Sequence, residues 1–470
     1  MANAYWLLNV RLETGHELEN GDVTGTKTDL FHLRIEEGAI AEIVRAADRP
    51  DEIKPEGLGA GKASTGKVRA MEASTGGVRA EKARTGEEKA EGTGAGEALA
   101  EKAGAGEANA EALPQVDARG LLALPSFIEK HCHLDKTLLG DRWRPVRPAA
   151  SLFERFEIEK NTLPTLATTM KERAETLLAL LLRAGSTHVR THVDLYPEVG
   201  LRHLEAVQEA LASFDGKLTA KIVAFPQHGL LRSQSAGLVR EALRQGCGLV
   251  GGVDPHTVDG DAERSLQQMM ELAVEANADV DLHLHDGGRV GLDTIRRLAQ
   301  LAEEAGWQGR VSVSHAFALS DMEGGEAEEM AGLLARADIT VITSVPLGRT
   351  MPPVPFLHAR GVRAAVGCDN IFDSWSPFGS GDVFERAGRL AERFGWKTER
   401  ELAETLGFIT GGVTPLDKDG RQVWPKPGDE ASLVFAEASC SAEAVARRAK
   451  RPAVMHRGAI VAGSLEGRSV

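Results

Sequence analysis

The chain has 470 residues, of which 69 are Asp or Glu and 55 are Lys or Arg, for a formal net charge of −14. The acidic balance argues against a nucleic-acid or anionic-membrane partner, and the length allows one large domain with a smaller one beside it. Cys132, Cys247, Cys368 and Cys440 form no C-x-x-C pair, the start MANAYWLLNVRLETG lacks the plan of a signal peptide, and the longest apolar run, Leu177–Leu182, falls short of the ~20 residues of a membrane span, so a cytoplasmic protein without disulfides is expected.

Leu30–Ile43 (LFHLRIEEGAIAEI) reads as strand, turn, strand around Glu37-Gly38. From Glu52 to Ala112 the composition shifts to Gly, Ala, Glu and Lys with a ten-residue repeat. Gly66, Gly76, Gly86, Gly96 and Gly106 share one phase, and Ala70, Ala80, Ala90, Ala100 and Ala110 another. No copy carries an apolar face that would bury a core. Residues 52–112 are therefore expected to form a disordered or loosely helical insertion, with a partner-binding arm as the competing reading. Beyond it lie eight strand candidates: Leu122–His133, Thr187–Leu195, Leu218–Gln227, Gly248–Asp254, Val280–Asp286, Arg310–Ala316, Ile339–Pro346 and Val362–Asn370. Helical stretches such as Leu204–Phe214, Ala262–Asn277 and Thr294–Ala305 separate them. Alternation of strand and helix implies a parallel sheet. Eight repeats imply an α/β fold closed as a (β/α)8 TIM-type barrel over residues 113–410. A doubly wound open sheet is the runner-up, weakened by the lack of a G-x-G-x-x-G fingerprint. Ala431–Ala436 and Ala453–Ala462, with Gly458 at a turn, alternate like the N-terminal strands. Residues 411–470 are thus expected to hold the barrel's end and then to combine with residues 1–51 into a small composite β-sandwich domain.

Chemistry collects at the carboxyl ends of the strand candidates, where barrels of this type carry their catalytic groups. His131-Cys132-His133 ends the first. Residues i and i+2 share a face, so both imidazoles can reach one metal ion, although alone the pair reads equally as two loop histidines. DLHLHD ends the fifth: His283 is a candidate third ligand, His285 shares its face, and Asp286 is displaced toward the mouth, where a carboxylate suits proton transfer. VSVSH ends the sixth on His315, a candidate ligand or neighbour of one. GCDN ends the eighth, and Asp369 can bind the ion or take a proton from its water. VAFPQ ends the third on Gln227, whose amide offers donors and an acceptor to the edge of a heterocycle. Singly, His315 reads more simply as a core histidine and Asp369 as a cap. Jointly, three or more imidazoles with a carboxylate suit one catalytic divalent ion, Zn²⁺ or Fe²⁺, which makes hydroxide available at neutral pH. Arg190, His192 and Asp194 share a face of the second strand and read as a polar network rather than ligands. Gly248–Asp254 holds no lysine to bridge two metals, which favours a mononuclear site.

The order H-x-H, H, H, D in PSFIEKHCHLDKT, THVRTHVDL, KIVAFPQHGL, DLHLHDGG, VSVSHA and GCDNIFDSWSPFGSGD resembles the amidohydrolase superfamily, and its cytosine-deaminase branch most. GCGLVGGVDPHT and DLHLHDGGRVGLDTIRRLAQ resemble the N-isopropylammelide amidohydrolases, the s-triazine members of that branch. The resemblance implies that His131, His133, His283 and Asp369 hold the metal and that His315 polarises the water or leaving group. It implies that Gln227 binds an amide edge of the ring and that Trp375 packs on it. Asp286 stands where cytosine deaminase has Glu, and Asn370 where it has a second Asp, and both departures argue against cytosine itself; Asp286 and Lys136 of HCHLDK look more like the triazine members. Lys136 and Asn370 are accordingly expected among the substrate-binding residues. The expected activity is hydrolytic removal of an exocyclic amine from a pyrimidine or s-triazine, with Asp286 or His285 protonating the ring. A cyclic amide hydrolase and a non-catalytic barrel scaffold are the alternatives. The expected partner is a small heterocyclic substrate, with homo-oligomerisation left open.

Overall fold

In the computed structural model, which describes residues 4–48 and 113–466, the chain opens with a long antiparallel hairpin. It is made of β1 (Ala4–Glu19) and β2 (Asp22–Glu36), and β3 (Ala39–Arg45) adds to β2. Glu37 and Gly38 join β2 to β3 with φ of 49° and 81°, the paired left-handed conformation of a tight hairpin turn. The expected strand–turn–strand is therefore present, but β1 was not among the sequence candidates. Register shifts after Leu7, Glu13 and Glu17 break its alternation, which hides its period. The repeat at 52–112 lies outside the described residues.

Next come β4 (Gln115–Asp117) and β5 (Leu122–Pro125), both parallel to β1. The first strand candidate, Leu122–His133, is a correction: it is two strands. The chain leaves the small sheet after Pro125, and β6 (Phe127–Cys132) begins the barrel. Seven more parallel strands follow in spatial order: β7 (Ser186–Asp194), β8 (Thr219–Phe225), β9 (Leu249–Val253), β10 (Asp279–Leu284), β11 (Val311–His315), β12 (Thr340–Thr343) and β13 (Ala364–Val366). Helices cover the outside and side chains fill the inside, so strands such as Leu249–Val253 and Val311–His315 are buried along their whole length. The three named helical stretches appear as Arg202–Ala212, Ala262–Ala276 and Gly288–Ala305.

The seam between β13 and β6 closes through the site itself. Asp369 N donates to His131 O at 2.6 Å. The buried Glu129 carboxylate accepts from His131 N (2.9 Å) and Cys368 N (2.8 Å) through one oxygen. A Cβ at Gly367 would stand 2.6 Å from His131 N, so only glycine permits this approach. The first strand–helix connection is long and carries an extra helix, α1 (Leu152–Thr162), capped by Ser151 accepting from Glu154 N.

The chain then returns to the small sheet with β14 (Leu433–Ala436), β15 (Ala453–His456) and β16 (Ala459–Gly463). β14 pairs antiparallel with β5, which gives the order β16-β15-β14-β5-β1-β2-β3. A further bridge between Ala39 and Glu430 joins β3 to the residues before β14, so the sheet curls on itself. Leu7, Leu33 and Ile35 then share a second core with Leu433, Phe435 and Met455. Both chain ends thus build one small β unit beside the barrel. Among the described residues, no helix is long and apolar enough to cross a membrane.

Candidate active site

Alternation along several barrel strands sends polar residues inward, and these inward residues stack in layers. At the bottom, Arg190 donates to Asp281 (2.8 Å) and Ser312 (3.1 Å). One level up, Ser314 Oγ donates to Asp281 Oδ1 (2.7 Å) and meets His131 Nδ1 at 2.8 Å. With the Ser314 proton given to Asp281, the hydroxyl oxygen faces the ring as an acceptor, so Nδ1 carries the hydrogen and Nε2 the free lone pair. Arg190, His192 and Asp194 do share a face, but they serve three levels. Arg190 binds the bottom layer, His192 Nε2 lies 3.6 Å from Asp281 Oδ2, and Asp194 Oδ1 lies 3.1 Å from Lys136 Nζ.

At the top level the imidazoles converge. His131, His133, His192 and His283 each offer a nitrogen, all within 4.8 Å of one another, and His131, His315 and Asp369 form a second such set. Asp369 Oδ1 lies 3.5 Å from His131 Nε2 and 3.4 Å from His133 Nε2. His131 Nε2 and both ring nitrogens of His283 are buried without a hydrogen-bond partner among the described residues. Such orphans are costly in a folded protein, and lone pairs turned toward one another beside a carboxylate are what a divalent cation satisfies. Burial favours the neutral rings that such an ion needs. It pushes His133 down to about 3, helped by Lys136, and drives His283 and His315 well below their usual value, helped by neighbouring histidines. His315 and Asp369 have φ of 68° and 62°, a strained left-handed conformation for non-glycine residues that clusters at functional sites.

Above this cluster lies a small cavity, lined among others by Phe225, Gln227, His285, Asn370 and Trp375. His285 stacks on His315 with ring centroids 4.4 Å apart. Asn370 Nδ2 donates to Asp369 Oδ1 at 3.1 Å. Two expected residues stand elsewhere. Asp286 does not line this cavity. It lines the larger cleft that shares His285, His315, Asp369 and Trp375 with this cavity, where Thr257 donates to it through backbone and hydroxyl, and its backbone N reaches back to Asp254. It lies beyond the strand, where period-two spacing no longer aims side chains. Lys136 also lies off the cavity surface, buried at 1 % exposure, and donates to Gln227 Oε1 at 2.5 Å. Burial opposes its charge, but Asp194 and Glu159, then Asp135 and Asp373, outweigh it and hold the ammonium above its usual value.

Sequence reasoning missed two residues. Asp254, just past β9, accepts from His285 N (2.5 Å) and Asp286 N (3.1 Å) and meets His285 Nδ1 at 2.8 Å. Glu159 of α1 accepts from Gln227 Nε2 (2.6 Å) and Trp375 Nε1 (2.5 Å). The strand-four end at Asp254 was a signal within reach. Glu159, on a helix inside a connection, left none.

Asp373, in the loop that carries Trp375, accepts from Trp375 N (2.8 Å) and Ser376 N (2.9 Å) through Oδ1, while Oδ2 is buried without a partner. Burial raises its pKa to about 8, with Glu159 adding to the rise. The unfolded chain releases this proton near pH 4, so the folded state binds more protons between about pH 4 and 8, and stability falls as pH rises through that window. Asp373→Asn keeps the acceptor and removes the titration. Its unfolding free energy is expected to fall less than that of the wild type between pH 5 and 8, by up to about 1.4 kcal/mol per pH unit. Parallel denaturant titrations check this, and identical pH slopes would count against it.

The pattern of the amidohydrolase family matches residues 161–463. YahJ of Escherichia coli K12, an uncharacterized protein, is 35% identical over 98% of this chain and 88% of its own length. The N-isopropylammelide isopropyl amidohydrolase of Pseudomonas sp. strain ADP is 33% identical over 74% of this chain and 87% of its own. The crystal structure of N-isopropylammelide isopropylaminohydrolase from Burkholderia multivorans superposes with a TM-score of 0.75 at 27% identity, covering 97% of this chain and 98% of that one.

Proposed function

Because this chain belongs to the amidohydrolase family, we propose that it hydrolyses the bond between a ring carbon and its exocyclic amine in a nitrogen heterocycle, an s-triazine or a cytosine-like pyrimidine. The observation that carries this reading is the pairing, in one cavity, of a histidine–aspartate cluster with an amide, Gln227, suited to the edge of such a ring. His131, His133, His283 and Asp369 would hold one divalent ion, zinc or iron, which when bound supplies an activated water and polarises the reacting carbon.

The chain's own groups do the rest. Gln227 reads the ring edge, Phe225 and Trp375 exclude water around it, and Asp369 accepts the proton of the attacking water. His285 delivers a proton to the ring nitrogen in preference to Asp286, since it lines the inner cavity as well as the wider cleft and Asp254 fixes its ring. Asp369 passes the proton it took from water to the departing amine, His315 stabilises the tetrahedral adduct, and Asn370 steadies Asp369. The relatives named for N-isopropylammelide support an alkylamine as leaving group. A panel of aminated and alkylaminated triazines, pyrimidines and pterins, assayed for ammonia and for alkylamine with metal-loaded protein, tests the reading. Release from at least one ring is expected. Ring opening without amine release, or no turnover anywhere in the panel, would overturn it.

A further inference from the structure

Gln227 is the one amide that faces the cavity and is also gripped at both ends from behind. Lys136 Nζ donates to its Oε1 (2.5 Å), and its Nε2 donates to Glu159 Oε1 (2.6 Å). Both partners are almost wholly buried, Lys136 at 1 % and Glu159 at 2 % exposure. An ammonium has only donors and a carboxylate only acceptors. Rotating the amide by half a turn would therefore set NH₂ against NH₃⁺ and a carbonyl against a carboxylate, losing both bonds at once. Glu159 does a second thing: its other oxygen takes the Trp375 indole N–H (2.5 Å). Phe156, three residues earlier on the same face of α1, stacks on His228 at 4.9 Å and lies 5.9 Å from Trp375. One helix thereby ties a strand-three recognition group to a ring-packing residue beyond strand eight.

We infer that Glu159, with Lys136 as its counterpart, is a positioning residue that fixes the polarity of the Gln227 amide and so makes the cavity accept heterocycle edges of one donor–acceptor order and reject the reverse. One hydrogen on Nε2 and one lone pair on Oε1 remain for a ligand. The accepted edge offers its donor on the Lys136 side and its acceptor on the Glu159 side. The inference rests on the deaminase reading for the kind of ring, but the polarity itself follows from the three side chains.

Cytosine and isocytosine form the matched pair for the test. Read outward from the amine-bearing carbon, cytosine presents C=O before N–H, and isocytosine N–H before C=O. Binding of each ring is followed by Trp375 fluorescence, with Trp375→Phe as the blank, and turnover by ammonia release. The wild type is expected to bind one isomer at least tenfold more tightly. Glu159→Gln can donate or accept and so tolerates either amide orientation. It is expected to lower that ratio about tenfold, chiefly through weaker binding of the preferred isomer, with kcat changed less than threefold. Lys136→Met, which frees the other end, should lower the ratio as well. An unchanged isomer ratio in Glu159→Gln, with its melting temperature within a few degrees of the wild type, would overturn the inference, as would a wild type that shows no preference. A wild type that discriminates in binding yet releases no amine upholds the inference and counts instead against the deaminase reading.

Discussion

His283→Ala is expected to bind no divalent ion at the site and to lose turnover by more than about a thousandfold. Residues that merely orient a metal ligand typically cost 10–100-fold when removed, so removing a ligand itself should exceed that range. His283 is well placed to be one. It lies one residue before the end of β10, its ring stacks on Phe225 at 4.2 Å, and neither nitrogen has a hydrogen-bond partner among the described residues. The stack holds the ring still, so little ordering entropy is left to lose when an ion binds. Alanine leaves His131, His133 and Asp369 without the fourth donor. Elemental analysis after loading and dialysis, with amine release from the best ring of the panel, checks both halves. Stoichiometric metal and wild-type turnover in a folded variant would remove His283 from the site. Near-ultraviolet circular dichroism separates metal loss from unfolding.

Asp254→Asn is expected to retain metal and lose roughly 10²–10⁴-fold in kcat, the usual contribution of a general acid or base. Asp254 has a φ of 34°, and its backbone N donates to His283 O at 3.0 Å, so it is built into the turn that follows the strands. Through Oδ1 it takes the backbone hydrogens of His285 and Asp286, and through Oδ2 the His285 ring at Nδ1. Asparagine keeps the first function but turns an NH₂ toward Nδ1, which inverts the neutral tautomer. The nitrogen facing the cavity then cannot be recharged as the carboxylate allows. Metal content equal to the wild type together with kcat within threefold of it would show that His285 takes no part in proton transfer.

Much of this site could be read from the residues alone because a strand forces a simple rule. Side chains two apart share a face, and parallel strands of a closed barrel end at one mouth. His131, His283 and the strand-ending His315 follow from that rule, and His133 and His285 extend it by one residue past their strands. Asp369, three residues beyond β13, and Asp286, which binds Thr257 at the wider cleft, lie where the rule no longer aims side chains. The cut between Leu122–Pro125 and Phe127–Cys132 was likewise hidden, because only Ser126 separates the two pieces and what divides them is their partners.

Sequence by itself determined the barrel, the alternation that aims the histidines inward, the two-ended small sheet and the kinship with amidohydrolases, since all of these rest on periodicities and short motifs carried within single segments. Only the tertiary structure decided that Glu159 reaches Gln227 across 68 residues, that Asp254 holds His285, and that Lys136 lies behind the cavity wall. Those contacts join side chains whose local sequences know nothing of each other, and the closure of the barrel brings them within hydrogen-bonding distance.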